Sequence, residues 1–184
     1  MNWNTAEDDA LTGTLPLTAE FAVADFSCET PAMDDYLIRH ALHAQHANTA
    51  RTFVALRGKR VVGYYSLAAA SMEPDEAPPR VLQGVGRYPI PLTLLARLAV
   101  DLSEQGAGLG KALLKDAMKR FLISQEQVAS RALLVHASDV VARGFYLAYG
   151  FEPVPLNPLH LYLLPKDMVR ALRAAQELSQ GRPG

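Results

Sequence analysis

The spacing of apolar residues changes several times along the chain, and each change predicts an element. Leu15–Val23 predicts a first strand. Thr30-Pro31 offers a hydroxyl N-cap followed by proline at the first helical position. It predicts a helix to about His46, with Met33, Leu37, His40 and Ala41 along one face. Thr52–Leu56 and Arg60–Ala68 are β-rich runs on either side of Gly58-Lys59, a hairpin pattern. Glu73–Pro91 holds five prolines and predicts a long irregular excursion. Leu92–Val100 is apolar enough for a buried central strand. The glycine-rich turn Gly106–Gly110 leads into an amphipathic helix over Leu109–Ile123. Its inward face is Leu109, Leu113, Leu114, Ala117, Met118, Phe121 and Leu122, while Lys111, Lys115 and Lys119 recur outside. Ala132–His136 predicts a short buried strand, and Ser138-Asp139 caps a helix that stops at Gly150. His160–Leu164 predicts a last strand and Lys166–Leu178 a last helix. No internal repeat is visible. The alternation predicts one α/β (α+β) domain over residues 15–178, between an acidic, flexible stretch 1–14 and a disordered tail 179–184.

Composition narrows the class. The chain has 184 residues, 49% hydrophobic and 20% charged, which suits one domain with a real core. The net charge of -1 hides a split. Residues 1–35 carry eight acids and no Lys or Arg, so residues 36–184 carry 18 basic and 11 acidic residues, a net of +7. The single cysteine, Cys28, excludes an internal disulfide and fits a reducing cytoplasm. The acidic N-terminus is unlike a secretory signal, and Val61–Met72 is too short to span a bilayer.

Two motifs carry chemistry. Gln105-Gly106-Ala107-Gly108-Leu109-Gly110-Lys111 lies between a buried strand and a helix. Such a turn aims backbone N–H groups and the positive helix end at one point, where glycines leave room for a phosphate. A P-loop would need Gly at Gln105 and Ser or Thr at Ala112, and a dinucleotide fingerprint would need Gly at Lys111. The pattern present is Gln-x-x-Gly-x-Gly. A glycine-rich helix entry with no ligand is the plain alternative. The second motif is Arg143–Phe151. At about 100° per residue, Val140, Val141, Gly144, Phe145 and Ala148 share a stripe, and Tyr146 falls opposite it. That arrangement disfavours Tyr146 as a core aromatic. It leaves a solvent-facing ring or a hydroxyl set in a cleft as a proton donor. Tyr149 and Phe151 are assigned to packing.

Taken in order, Leu94–Asp101, the turn Gln105–Gly110 and Phe145-Tyr146-x-x-Tyr149-Gly150-Phe151 resemble the GCN5-related N-acetyltransferase (GNAT) family. The resemblance extends to acetyltransferase toxins of bacterial type II toxin–antitoxin modules through Phe26–Leu37, Thr52-Phe53-Val54 and Val61–Leu67. It covers about residues 15–168. It implies a GNAT fold, with a central mixed, mostly antiparallel sheet splayed at its fourth strand and flanked by helices. It also implies that Leu98, Ala99 and Val100 lend backbone groups to the pantetheine arm and acetyl carbonyl of acetyl-CoA. Gln105, Gly106, Ala107, Gly108, Leu109, Gly110 and Lys111 would hold the pyrophosphate, and Tyr146 would protonate the leaving thiolate. The implied acceptor is the α-amine of an aminoacyl-tRNA, whose acetylation blocks translation. The implied partners are a ribbon-helix-helix antitoxin and a second copy in a homodimer. The implied location is the bacterial cytoplasm.

The chemistry is consistent with that acceptor. A free α-amine has a pKa of about 8, lowered further by an ester, whereas a lysine at about 10.4 asks more of a base. No carboxylate is marked as such a base. From Tyr36 to Met72 there are five basic residues and no acid. Arg51 within this stretch, and Arg97 just before the acetyl-binding segment, are candidate contacts to tRNA, against the alternative of scattered solvated charges. His40, His43 and His46 recur every three residues, but that spacing drifts round a helix, and no metal is expected. Cys28 is a nucleophile only if a histidine partners it. Two other functions remain open: a GNAT enzyme acting on a small amine or protein N-terminus, and a non-catalytic module binding CoA or a partner.

Overall fold

The computed structural model describes residues 10–180, without the side chains of residues 179 and 180. Most of the acidic stretch and residues 181–184 of the predicted tail 179–184 therefore lie outside the described residues, while residues 179 and 180, expected in that tail, continue the last helix. Seven strands form one sheet of order β1-β2-β3-β4-β5-β7-β6. These are β1 (Leu15–Pro16), β2 (Arg51–Arg57), β3 (Arg60–Met72), β4 (Ile90–Val100), β5 (Leu133–His136), β6 (Glu152–Val154) and β7 (Asn157–Leu163). The β4–β5 pair is parallel, while β1–β2, β2–β3, β5–β7 and β6–β7 are antiparallel. The helices are α1 (Pro31–Asp35), α2 (Ala41–His46), α3 (Pro79–Leu82), α4 (Leu109–Ser124), α5 (Val140–Ala148) and α6 (Pro165–Gln180). Among the described residues no helix is long and apolar enough to cross a membrane.

Contacts gather the chain into two compact units. The first comprises the chain up to Ala68 together with Ala96–Ala117. Its core joins Leu17, Phe26, Tyr36, Leu37, Val54, Val61, Tyr64 and Ala99. Gly58, at φ 57°, turns the β2–β3 hairpin as expected. The first strand is much shorter than predicted, two residues in place of nine, because the backbone makes its last bond to β2 from the Leu17 N–H to the Thr52 carbonyl and then turns at Thr18–Phe21. Thr12 donates its N–H to Leu56 and accepts from the Leu56 N–H, which ties the chain ahead of β1 to β2.

The helix predicted after Thr30-Pro31 is present but irregular. A π-helical segment, Tyr36–His40, separates α1 from α2, and the Ala41 N–H reaches back to the Tyr36 carbonyl. The wider turn rotates the face. Tyr36, Leu37 and Ala41 are buried, while His40, expected inside, is exposed.

The second unit comprises Ala69–Leu95 and the chain from Met118 onward. Its apolar cluster includes Met72, Val81, Ile90, Leu92, Ala132, Leu134, Val154, Tyr162 and Leu164. The proline-rich excursion contains a short α3 started by Pro78 and Pro79. Arg131 fastens it by donating to the Arg80, Val81 and Gln83 carbonyls. Strand β6 is an addition to the predicted set. It is three residues long, too short for an alternating pattern to register.

Candidate active site

Strand β4 pairs with β5 only from Thr93↔Leu133 to Leu95↔Val135. β4 runs on to Val100, while β5 ends at His136, one residue past the last pair. Ala99 in the following segment is buried, and Leu98 and Val100 are half-buried.

Directly after β4 the chain is locked in place. Asp101 is buried and accepts from the Ser27 N–H (3.1 Å), the Ser103 N–H (3.0 Å) and the Ser103 hydroxyl (2.6 Å). Arg60 adds an ion pair at 3.3 Å. Burial alone would raise the Asp101 pKa, but those hydrogen bonds and the Arg60 charge hold it below the usual carboxylate range. Asp101 thereby N-caps the short 3₁₀ turn Leu102–Glu104. Glu104 pairs with Arg57, and that bond holds its carboxyl low as well. Asp101 and Glu104 were not predicted. The signal was available in Asp101-Leu102-Ser103, since an Asp side chain commonly accepts from the backbone N–H two residues on.

The turn follows. Gln105 donates its side-chain amide to the Val100 carbonyl at 3.0 Å, fastening the turn to the end of β4. Gly106 (φ 79°) and Gly108 (φ 89°) occupy the left-handed region, and a Cβ on either would meet nothing within 4 Å. Glycine is therefore needed there for conformation and leaves open space above. Residues Gln105–Gly108 are exposed, and α4 begins at Leu109 with its first amides lacking intrahelical partners. A pyrophosphate fits this set: exposed backbone, a helix N-terminus and the exposed Lys111. Gly63 in β3 positions α4, because a Cβ there would come within 3.0 Å of Leu109 and Leu113.

Arg97 lies with its guanidinium 3.8 Å above the Tyr36 ring and has no carboxylate partner among the described residues. Other arginines differ. Arg39 pairs with Asp35, Arg57 with Glu104, Arg60 with Asp101, and Arg80 with Glu152 and Asp167. Two of the five basic residues in the predicted stretch, Arg57 and Arg60, are thus paired with acids distant in sequence, and Arg39 with one four residues away. Arg51 donates to the Gln45 carbonyl and the Asn48 side chain, which ties it to the end of α2. His40 contacts Asp35. The Cys28 thiol is pushed up to about 11 by burial and by Asp34, so it is protonated and unreactive at neutral pH.

Tyr146 corrects the reading of α5. Of the stripe expected inside, Val140, Val141, Gly144 and Ala148 are exposed and Phe145 is half-buried, while Tyr146 is buried. The helix is only nine residues long, and two valines in its first turn dominated the apparent periodicity. Asp139 caps it by accepting from the Ala142 N–H at 2.8 Å, and Gly150 (φ 87°) ends it. The Tyr146 ring packs edge-on to Phe145 and Phe151. Its hydroxyl has no hydrogen-bond partner among the described residues, and burial raises its pKa well above the usual tyrosine value. The phenol therefore keeps its proton at neutral pH.

Residues 48–153 match the family model "Acetyltransferase (GNAT) domain". A "tRNA-acetylating toxin" of Mycobacterium tuberculosis (strain ATCC 25618 / H37Rv) is 47% identical over 150 residues, 82% of this chain and 89% of the relative. The solved structure of AtaT complexed with acetyl-methionyl-tRNAfMet matches with a TM-score of 0.80 at 28% identity, over 88% of this chain and 98% of that one. A mutant AtaT toxin bound to the C-terminus of the antitoxin AtaR matches with a TM-score of 0.75 at 27% identity, over 87% and 96%. A long fourth strand, an open glycine turn leading into a helix and a tyrosine late in α5 thus occur in a chain that belongs to the GNAT family of N-acetyltransferases.

Proposed function

We propose that the protein is an acetyl-CoA-dependent toxin that acetylates the α-amino group of an aminoacyl-tRNA and so blocks translation in the bacterial cytoplasm. The observation that carries this reading is the 47% identity to a tRNA-acetylating toxin over most of both chains. The glycine turn and Tyr146 support it independently, because a non-catalytic CoA binder has no need of a buried phenol with an unpartnered hydroxyl.

In this reading Leu98, Ala99 and Val100 bind the pantetheine arm and acetyl carbonyl through their backbone groups. Gln105, Gly106, Ala107, Gly108, Leu109, Gly110 and Lys111 hold the pyrophosphate. The amine nitrogen attacks the thioester carbon, the C–S bond breaks, and Tyr146 gives its proton to the thiolate. Burial makes the phenol a weaker acid, and low polarity also makes the departing thiolate a stronger base, which favours the transfer. Arg97 contacts the acceptor end of the tRNA. Its N–H donors have no carboxylate to satisfy, and a phosphate would complement them. Arg51 makes a weaker contact, since its guanidinium already serves α2. A ribbon-helix-helix antitoxin neutralises the enzyme, and the active form is a homodimer.

The test is acetyl transfer from labelled acetyl-CoA to charged tRNA, peptides and polyamines in parallel. Label on charged tRNA alone is expected. Label only on peptides or polyamines would replace this reading with a small-amine or N-terminal acetyltransferase.

A further inference from the structure

Arg97 differs from the other arginines of its unit in what holds it. Arg39, Arg57 and Arg60 face carboxylates, and Arg51 donates to the Gln45 carbonyl and to Asn48. Arg97 faces a ring. Its guanidinium carbon stands 3.8 Å from the centre of Tyr36, and the residue is half-buried. A carboxylate takes up the in-plane N–H fork of a guanidinium, whereas an aromatic face attracts the charge and leaves that fork unused. The cation is held with its donors free.

The ring itself is fixed. Tyr36 is buried at the start of the π-helical segment, where the Ala41 N–H bonds to its carbonyl. It stacks on Tyr64 with centroids 6.3 Å apart at 22°, and Tyr64 meets Phe26 edge-on at 5.5 Å. Tyr64 is fully buried and donates its hydroxyl to the Met33 carbonyl at 2.8 Å. Burial raises the Tyr64 pKa well above its ordinary value, against the nearby Arg97 charge, so that donor keeps its proton. Phe26, Tyr64, Tyr36 and Arg97 thus form one column, anchored in the core and ending in a positive charge.

The column ends beside the segment that holds the acetyl group in the proposed reaction. Arg97 directly precedes Leu98, with about 3.8 Å between their Cα atoms. Side chains two apart on a strand share a face, and Ala99 belongs to the same apolar cluster as Tyr36 and Tyr64. Every residue of this arrangement lies in the first unit. In an aminoacyl-tRNA the phosphate nearest the reacting amine is the last phosphodiester, one sugar away from the aminoacyl ester. A peptide or a polyamine has no counterpart to it.

We propose that Tyr36 is a positioning residue and Arg97 a specificity determinant: the ring holds the guanidinium against the last phosphodiester of the charged tRNA, and that contact sets the α-amine at the acetyl group. The assignment rests on the tRNA reading above and deepens it. Arg97 stays charged throughout and takes no part in the bond changes. Its fork donates two N–H bonds to the phosphate oxygens, the pairing that guanidinium geometry favours.

The test uses the full-length protein and two charged tRNAs, one native and one whose last phosphodiester is a neutral methylphosphonate. The quantity read is the ratio of kcat/KM on the two. Wild type should prefer the native RNA about tenfold or more. In Arg97→Gln and Tyr36→Leu the ratio should fall to about one, chiefly through a higher KM for native tRNA, with acetyl-CoA affinity unchanged. Tyr36→Phe keeps the ring and should keep the wild-type ratio. The slope of log kcat/KM against log salt should lessen by about 0.7 in Arg97→Gln. Thermal unfolding controls for folding, and Tyr36→Met serves if Tyr36→Leu is unstable. A purely structural role for Tyr36 would slow both RNAs equally and leave the ratio intact, which would overturn the inference. A wild-type ratio of one, or a lost preference in Tyr36→Phe, would overturn it as well. A wild type that labels both RNAs but fails these comparisons refutes the Tyr36–Arg97 assignment alone. A wild type that labels neither RNA and labels a peptide refutes the tRNA reading, and this inference with it.

Discussion

From Asp101 to Gly110 the chain is held by charge and by hydrogen bonds to the backbone. Asp101 gathers two serines and Arg60, Glu104 takes Arg57, and Gln105 reaches back to Val100. From Val140 to Phe151 it is held by rings, with Tyr146 wedged edge-on between Phe145 and Phe151. In the proposed function the first region presents backbone amides in one open conformation, and directional bonds fix a backbone. The second keeps one phenol protonated, and low polarity does that without a partner that would compete for the proton. The two regions should therefore fail in different ways.

The largest expected effect separates chemistry from packing in the ring-held region. Tyr146→Phe keeps the aromatic contacts and loses only the hydroxyl. Its kcat should fall about 100-fold or more, with thermal stability and acetyl-CoA affinity retained. Wild-type turnover would remove Tyr146 from the mechanism. In the backbone-held region, Gly108→Val forces a β-branched residue to φ 89° at a cost of about 1–3 kcal/mol. The acetyl-CoA KM should rise about tenfold or more while kcat with bound cofactor changes little. An unchanged KM would show that the turn does not hold the cofactor.

Smaller effects bear on the supports. Gly63→Val places a side chain against Leu109 and Leu113 and should destabilise by about 1–3 kcal/mol, with Gly63→Ala milder, both read by thermal unfolding. Asp101→Asn should cost about 1 kcal/mol at pH 7. The Asp101 pKa is depressed on folding, so its contribution is complete above the unfolded value of about 3.9 and is lost as pH falls through the folded value. The gap between wild type and Asp101→Asn should therefore close on acidification. A gap that persists at low pH would mean the carboxylate's charge is not what fixes the turn.

Much of this was legible in the sequence because it depends on near neighbours. Gly58-Lys59 turns a hairpin, Thr30-Pro31 starts a helix, and Asp139 and Gly150 bound α5, each through contacts within a few residues. What sequence reading missed depends on distant partners. Arg57 and Arg60 looked unopposed because their acids, Glu104 and Asp101, are more than 40 positions away. Tyr146 looked outward because two exposed valines outweighed it in a nine-residue helix. Gly63 gave no hint that a helix 46 residues later presses on it. The placing of Arg97 over Tyr36 joins β4 to the π-helical segment and follows from no local pattern.

The π-helical segment at Tyr36–His40 has a consequence for comparing related chains. A helix that closes a turn with five residues carries one more than its regular counterpart, and everything after the extra residue is rotated by about 100°. In a relative lacking that residue, the position after the gap would meet the core where this chain shows exposed His40. Alignments across residues 36–40 should therefore be judged by geometry. A one-residue gap there would separate chains that offer an aromatic ring beneath the arginine of β4 from chains that do not.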